Sequence, residues 1–226
     1  MRVVSLVPSA TETLRAWGVD PVACTRFCEQ PDLATVGGTK NPAIDEIVDL
    51  RPDLVVVDEE ENRREDHDAL VEAGLAVHVL AIRSVADLDD QLPDLAAVVG
   101  AVWTPLGLPD PSVVAVGLQA FVPIWRRPWM ALGPDTYGGS LLRSLGVAVV
   151  PDGTDRYPEV ALDGIAGTAD VVLVPSEPYD FRDAHLDELA AVAPPVRVDG
   201  QDLFWWGWRT AGARTRLADQ LMQLTS

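Results

Sequence analysis

The stretch FWWGWR sets Phe204, Trp205, Trp206 and Trp208 within residues 204 to 209 and ends on Arg209. Indole and phenyl rings present wide, stiff, flat faces at low conformational cost, so such a cluster suits stacking on a planar ligand as well as filling a core. Two further runs have the same character: WRRPW, with Trp125 and Trp129, and EPYDF, with Glu177, Tyr179 and Phe181. Arg26 and Arg209 add charge, and either could hold a ligand carboxylate or phosphate through a two-pronged guanidinium contact, or bridge Glu29 or Glu177 instead.

Other chemistries find less support. Cys24 and Cys28 form a C-x3-C pair with no second cysteine pair, a poor zinc pattern, and buried reduced thiols are expected. His67, His78 and His185 share no metal-ligand spacing; His78 is expected in the core, and the other two on exposed helix faces. Motifs of serine hydrolases, zinc proteases and dinucleotide enzymes are lacking, and GGTK at 37–40 is too short for a phosphate-cradling loop. Lys40 could still contact an anion, while Glu59, Glu60 and Glu61 read as a solvated helix start. The expected sets of catalytic residues and of metal ligands are therefore both empty.

Composition narrows the partners. With 48% hydrophobic and 23% charged residues among 226, the chain is globular, and no apolar run reaches the roughly 18 to 20 residues of a membrane span. Seventeen basic against 35 acidic residues give a formal charge of -18, which repels nucleic-acid backbones and anionic lipid. The opening MRVVSLVPSATETL runs straight into a strand-like segment with no secretory pattern, which predicts a cytoplasmic protein.

The elements that must position these residues alternate. RVVSLVPS, DPVACT, PDLVVVD and LAVHVL read as strands, and TETLRAWG, AIDEIVDL and RREDHDALVEAG as helices, an α/β pattern in which unbroken apolar strands imply a parallel sheet covered on both faces. FVPIW, YGGSLLRSLG and VAVVPD repeat the grammar, and the segment from GIAGTADVVLVP to PPVRVD matches DLRPDLVVVD to AVHVL element for element. Two similar α/β lobes follow, residues 1–82 and 117–226. Residues 83–116 join them as a helix from Ser84 that Pro93 should kink or restart, followed by the Pro-rich loop TPLGLPDPS.

Open parallel sheets bind ligands at the carboxyl ends of their strands, where the two lobes would share a cleft. The loops expected there carry the candidate ligand-binding residues: Pro8, Ser9, Arg26, Phe27, Glu60, Asn62, Trp125, Trp129, Tyr137, Glu177, Tyr179, Phe181, Trp205, Trp206, Trp208 and Arg209.

The blocks RVVSLVPSATETLRAWG, VGGTKNPAIDEIVDLRPDLVVV and PWMALGPDTYGGSLLRSLG resemble the helical-backbone metal receptors, the class III substrate-binding proteins that capture cobalamin, haem and iron-siderophores for ABC importers. The resemblance implies two lobes joined by a rigid bridging helix, here short and interrupted by proline, with a shallow cleft lined by aromatic rings. It also implies a non-enzymatic function, in which a corrinoid or iron chelate is the bound ligand and no cofactor is attached covalently. An importer permease is the implied protein partner, docked through an acidic residue of each lobe; Glu65 matches the first, and FWWGWRT offers no glutamate for the second. A chelatase-like enzyme and a cytoplasmic module gripping a partner protein in the aromatic cleft are the alternatives.

Overall fold

The computed structural model describes residues 1–105 and 117–224. It divides into two compact units: Met1–Ile82 with Ala86–Pro105 and Trp206–Trp208 form the first, and Arg83–Val85, the described part of Leu106–Trp205, and the chain from Arg209 form the second. The run TPLGLPDPS passes, from residue 106 on, outside the described residues.

In the first unit β1 (Val3–Ser5) leads into α1 (Pro8–Ala16), where Pro8 occupies the first turn because the N–H it lacks would have no helical partner there. Next come β2 (Ala23–Cys24), a 3-10 turn at Arg26–Cys28, β3 (Ala34–Thr35), β4 (Gly37–Gly38) and β5 (Asn41–Pro42). The unit continues with α2 (Ile44–Leu50), β6 (Leu54–Asp58), α3 (Arg64–Glu72), β7 (Val77–Leu80) and α4 (Ala86–Val99). The strands order β3-β2-β1-β6-β7, every pair parallel. Val4, Leu6, Val55 and Val57 bury against Ala23, Val36, Ile47 and Leu70, each large side chain stabilising the fold by roughly 1.5–3 kcal/mol.

Helix α4 runs through Pro93 without a break, where the sequence predicts a kink or restart. Pro93 is exposed, whereas Leu88, Leu92, Leu95 and Ala96 are buried, so the apolar face outweighs the roughly 3 kcal/mol cost of an internal proline.

The second unit holds β8 (Leu118–Phe121), β9 (Pro123–Trp125), β10 (Trp129–Ala131), α5 (Tyr137–Arg143), β11 (Val147–Val150) and β12 (Glu159–Val160). It continues with α6 (Leu162–Ile165), β13 (Val171–Pro175), α7 (Asp183–Leu189), β14 (Pro195–Val198), α8 (Gly200–Phe204) and α9 (Thr210–Leu224). Its parallel sheet orders β11-β8-β13-β14, the same arrangement as β2-β1-β6-β7, so the internal echo in the sequence is an echo in topology. The predicted single strand FVPIW is divided instead: β8 ends at Phe121, and β9 opens a hairpin whose β10 pairs antiparallel with both β9 and β12.

Candidate ligand site

In each parallel sheet the chain leaves the first strand in one direction and later returns on its other side, so a switch point lies between β1 and β6 and another between β8 and β13. The second unit fills its switch point with aromatic rings. The hairpin after β8 supplies Trp125 and Trp129, the loop after β13 supplies Tyr179 and Phe181, and the first turn of α7 supplies His185.

These rings form one connected group. Trp125 stands edge-on to Tyr179 with centroids 5.1 Å apart, Tyr179 lies 4.8 Å from Phe181, and Trp129 stacks parallel to Phe181 at 6.0 Å. Phe181 is fully packed, Trp129 and Tyr179 are half-buried, and Trp125 is 46% exposed, so the stack runs from a buried base to an open edge. Arg126 fixes the hairpin: its guanidinium contacts both carboxylate oxygens of Glu188 on α7, at 2.6 and 3.2 Å, and lies 5.6 Å from the ring of Trp129.

His185 is not the surface histidine expected. Its ring packs 5.8 Å from Tyr179 and 6.2 Å from Phe181, and its Nδ1 accepts the backbone N–H of Arg182 as part of the helix cap. The available signal was its place three residues after the cap in RDAH, where a side chain can turn back onto the N-terminus. His78 is half-buried, with burial lowering its basicity, in an edge strand instead of a closed core.

FWWGWR departs furthest from expectation. It connects two helices: Asp199 accepts the N–H groups of Gln201 and Asp202 and starts α8 directly after β14, and α9 follows at Thr210. Trp205 is only 8% exposed; its Nε1 donates to Glu177 Oε1 at 2.7 Å, and Arg209 covers its ring at 5.2 Å. Trp206 is 4% exposed, and both indoles are packing residues where an open wall was expected. Only Trp208, 60% exposed, presents its ring to solvent. Arg209 also contacts Asp202 at 3.3 Å and Gln201 at 3.1 Å, so Asp202 is an acidic partner that the sequence reading did not name. Arg216, at 2.6 Å, chiefly holds the Asp202 carboxyl below the usual range.

Three other candidates are committed to the architecture. Tyr137 is buried, its hydroxyl 2.8 Å from that of Thr210, and burial pushes its phenol up. Ser9 accepts the N–H of Trp206 at 3.2 Å. Asn62 is buried, with its amide donating to the carbonyls of Leu6 and Thr39 and accepting the N–H of Asp58. Asp58 completes that knot by accepting N–H groups from Glu60, Glu61 and Ile82, and burial pushes its carboxyl up to about 6.

Toward solvent in the first unit, Phe27 is 49% exposed under the guanidinium of Arg26, 4.7 Å from its ring centre, and Pro8 and Glu60 are half-buried. Lys40, expected as an anion contact, donates to the carbonyl of Glu60. Cys24 and Cys28 are free and buried, as the sequence implied. Contact with Cys24, then the hydroxyls of Thr11 and Thr25 at 3.2 and 3.3 Å, hold the Cys28 thiol down to about 6, and the Cys24 thiol is pushed up in return. Among the described residues no group of three or more His, Cys, Asp or Glu is placed to hold a metal ion.

Residues 3–102 match the family described as periplasmic binding protein. That match covers less than half of the chain, and the solved structures, at 14 to 19% identity, show that the chain shares their fold. A curated relative, the vitamin B12-binding protein of Salmonella choleraesuis (strain SC-B67), is 30% identical over 108 residues, which are 46% of this chain and 39% of that protein. The periplasmic vitamin B12 binding protein BtuF of Vibrio cholerae superposes with a TM-score of 0.80 at 18% identity, over 100% of this chain and 98% of the other. The periplasmic heme-binding protein BhuT, solved with two hemes, gives 0.81 at 19% identity over 100% and 99%. An ABC transporter substrate-binding protein of Listeria monocytogenes EGD-e gives 0.75 at 14%, over 98% of each chain. The family and two of these structures are periplasmic by name and none supports the cytoplasmic placement; among the described residues no helix is long and apolar enough to cross a membrane.

Proposed function

We propose that this protein binds a planar metal chelate, a corrinoid or an iron chelate such as haem, and releases it unchanged. The observation that carries the reading is the graded aromatic stack at the β8/β13 switch point, where Trp125 stands open against Tyr179 while Trp129 and Phe181 hold the base. A half-exposed indole braced from behind offers a macrocycle a large contact face at little entropic cost. The printed names of the relatives, vitamin B12-binding and heme-binding, support the same class of ligand. Stacking and polar contacts suffice for such a task, and no bond is made or broken. Handing the ligand to an ABC importer is the role that the Listeria neighbour's name suggests, with Glu65, exposed in the first turn of α3, as a docking residue of the first unit.

The test is intrinsic tryptophan fluorescence titrated with cobalamin, cobinamide, haemin and ferric siderophores, corrected for inner-filter absorption. Saturable quenching at micromolar ligand or below, weakened in Trp125→Ala, is expected. No quenching by any of them would replace chelate binding with a protein-partner role for the same rings.

A further inference from the structure

The chain carries a formal charge of -18, so its cations have acidic partners in abundance, and most arginines near the aromatic stack have taken one. Arg126 is bound by Glu188, Arg182 lies 3.6 Å from Asp180, and Arg197 lies 2.9 Å from Asp183. Arg127 is different. It is exposed at the tip of the β9–β10 hairpin, two residues from the open ring of Trp125, and no carboxylate among the described residues pairs with it. Its backbone has φ 73°, a left-handed conformation that an L side chain rarely adopts and that costs on the order of 1 kcal/mol. The neighbouring Arg126 and Trp129 hold the hairpin in place, which keeps the backbone of Arg127 two residues from Trp125 at the open edge of the stack.

An exposed arginine at the tip of the hairpin that carries an aromatic platform suits a ligand that is flat and carries an oxyanion at its edge. The ring takes the π-face, and the two-pronged N–H donors take a carboxylate or phosphate oxygen. In the field of a strongly acidic protein an anionic ligand meets general repulsion, so one uncompensated cation at the site discriminates between ligands more sharply than it would on a neutral surface. We infer that Arg127 is a specificity-determining residue: it selects chelates bearing a peripheral oxyanion, carboxylate or phosphate, over otherwise identical chelates lacking one. This rests on the chelate-binding reading above and narrows the ligand within it.

Two matched probe pairs separate the sources of the oxyanion. Haemin and its dimethyl ester differ in free carboxylates, and cobalamin and cobinamide differ in the nucleotide loop with its phosphodiester. Each is titrated by tryptophan quenching at low and at about 0.5 M salt against the wild type, Arg127→Gln, Arg127→Lys and, as a control at another exposed arginine, Arg51→Gln. The expected result is a preference of about tenfold or more for the oxyanion-bearing member of one pair, reduced by salt, lost in Arg127→Gln, partly kept in Arg127→Lys and unchanged in Arg51→Gln. Haemin over its ester identifies a carboxylate, and cobalamin over cobinamide a phosphate. Equal binding within both pairs, or a preference that survives Arg127→Gln, overturns the role of Arg127 and leaves chelate binding standing. Failure of all four probes to bind overturns both.

Discussion

The backbone N–H of Trp206 donates to Ser9 Oγ at 3.2 Å, a contact between residues 197 positions apart. Two residues on, the N–H of Trp208 donates to Thr13 Oγ1 at 3.1 Å, on the same face of α1. Between them Gly207 has φ 97°, and a Cβ there would lie 2.1 Å from Thr13 Oγ1. Gly207→Ala therefore meets both a forbidden backbone conformation and a steric clash, and is expected to lower stability by about 2–4 kcal/mol. Ser9→Ala removes one hydrogen bond and should cost only about 1 kcal/mol. Urea denaturation of both proteins checks this ordering; a Gly207→Ala protein as stable as wild type would show that the segment does not lie on α1.

Phe181 and Trp125 belong to one ring cluster but to different ends of it. Phe181→Ala opens a cavity under Trp129 and Tyr179 and should destabilise the protein by about 3–5 kcal/mol. Trp125→Ala, at a half-exposed edge, should leave the melting temperature within a few degrees and weaken chelate quenching instead. A thermal melt beside a haemin and a cobalamin titration of each variant reads both effects. Similar stability losses in the two would contradict the gradient of burial.

Asp58 gives a pH dependence with a definite sign. Burial holds its folded carboxyl at about 6, above the unfolded value of 3.8, and outweighs the N–H donors that favour the charged form. Between pH 4 and 6 the folded state then binds the extra proton, so this group's contribution is fully present below about pH 4 and is lost as pH rises through about 6. The amplitude is of order 2–3 kcal/mol. Asp58→Asn should lack this component, and the difference in unfolding free energy between the two proteins, followed from pH 4 to 7 by denaturant titration, reports it. Parallel pH profiles would mean that Asp58 titrates as a solvated carboxyl.

Glu188 secures Arg126 from α7 through two contacts, with the arginine side chain 16% and the glutamate 40% exposed. Glu188→Gln should cost about 1 kcal/mol of global stability, since half-exposed pairs are screened by solvent. It should also raise amide hydrogen exchange in the β9–β10 hairpin more than in β13. Uniform protection changes across the second unit would rule out a local fastening role.

Much of the architecture was legible in one dimension. VVVD at β6 and VVLVP at β13 are unbroken apolar runs, and only a strand covered on both faces tolerates such a run, which already implied parallel sheets in both halves. The aromatic residues of WRRPW and EPYDF were also readable as a group, because loops that follow strands in such sheets gather at one end. The clustering of His185 with them was not, since the helix cap that turns its ring inward depends on a backbone N–H at Arg182 and leaves almost no trace in composition.

By itself, then, the sequence determined the α/β grammar, the repeated succession of elements and the strand-end aromatics, because these follow from local periodicity and the covering of apolar strands. Tertiary structure alone decided which rings are open. FWWGWR has the composition of a binding wall, yet Glu177, Arg209 and Ser9, distant or merely adjacent in sequence, bury Trp205 and fasten Trp206, while Trp125 and Trp208 remain exposed. Exposure is set by what the rest of the chain brings against a side chain, and that sum of long-range contacts is written in no single stretch of residues.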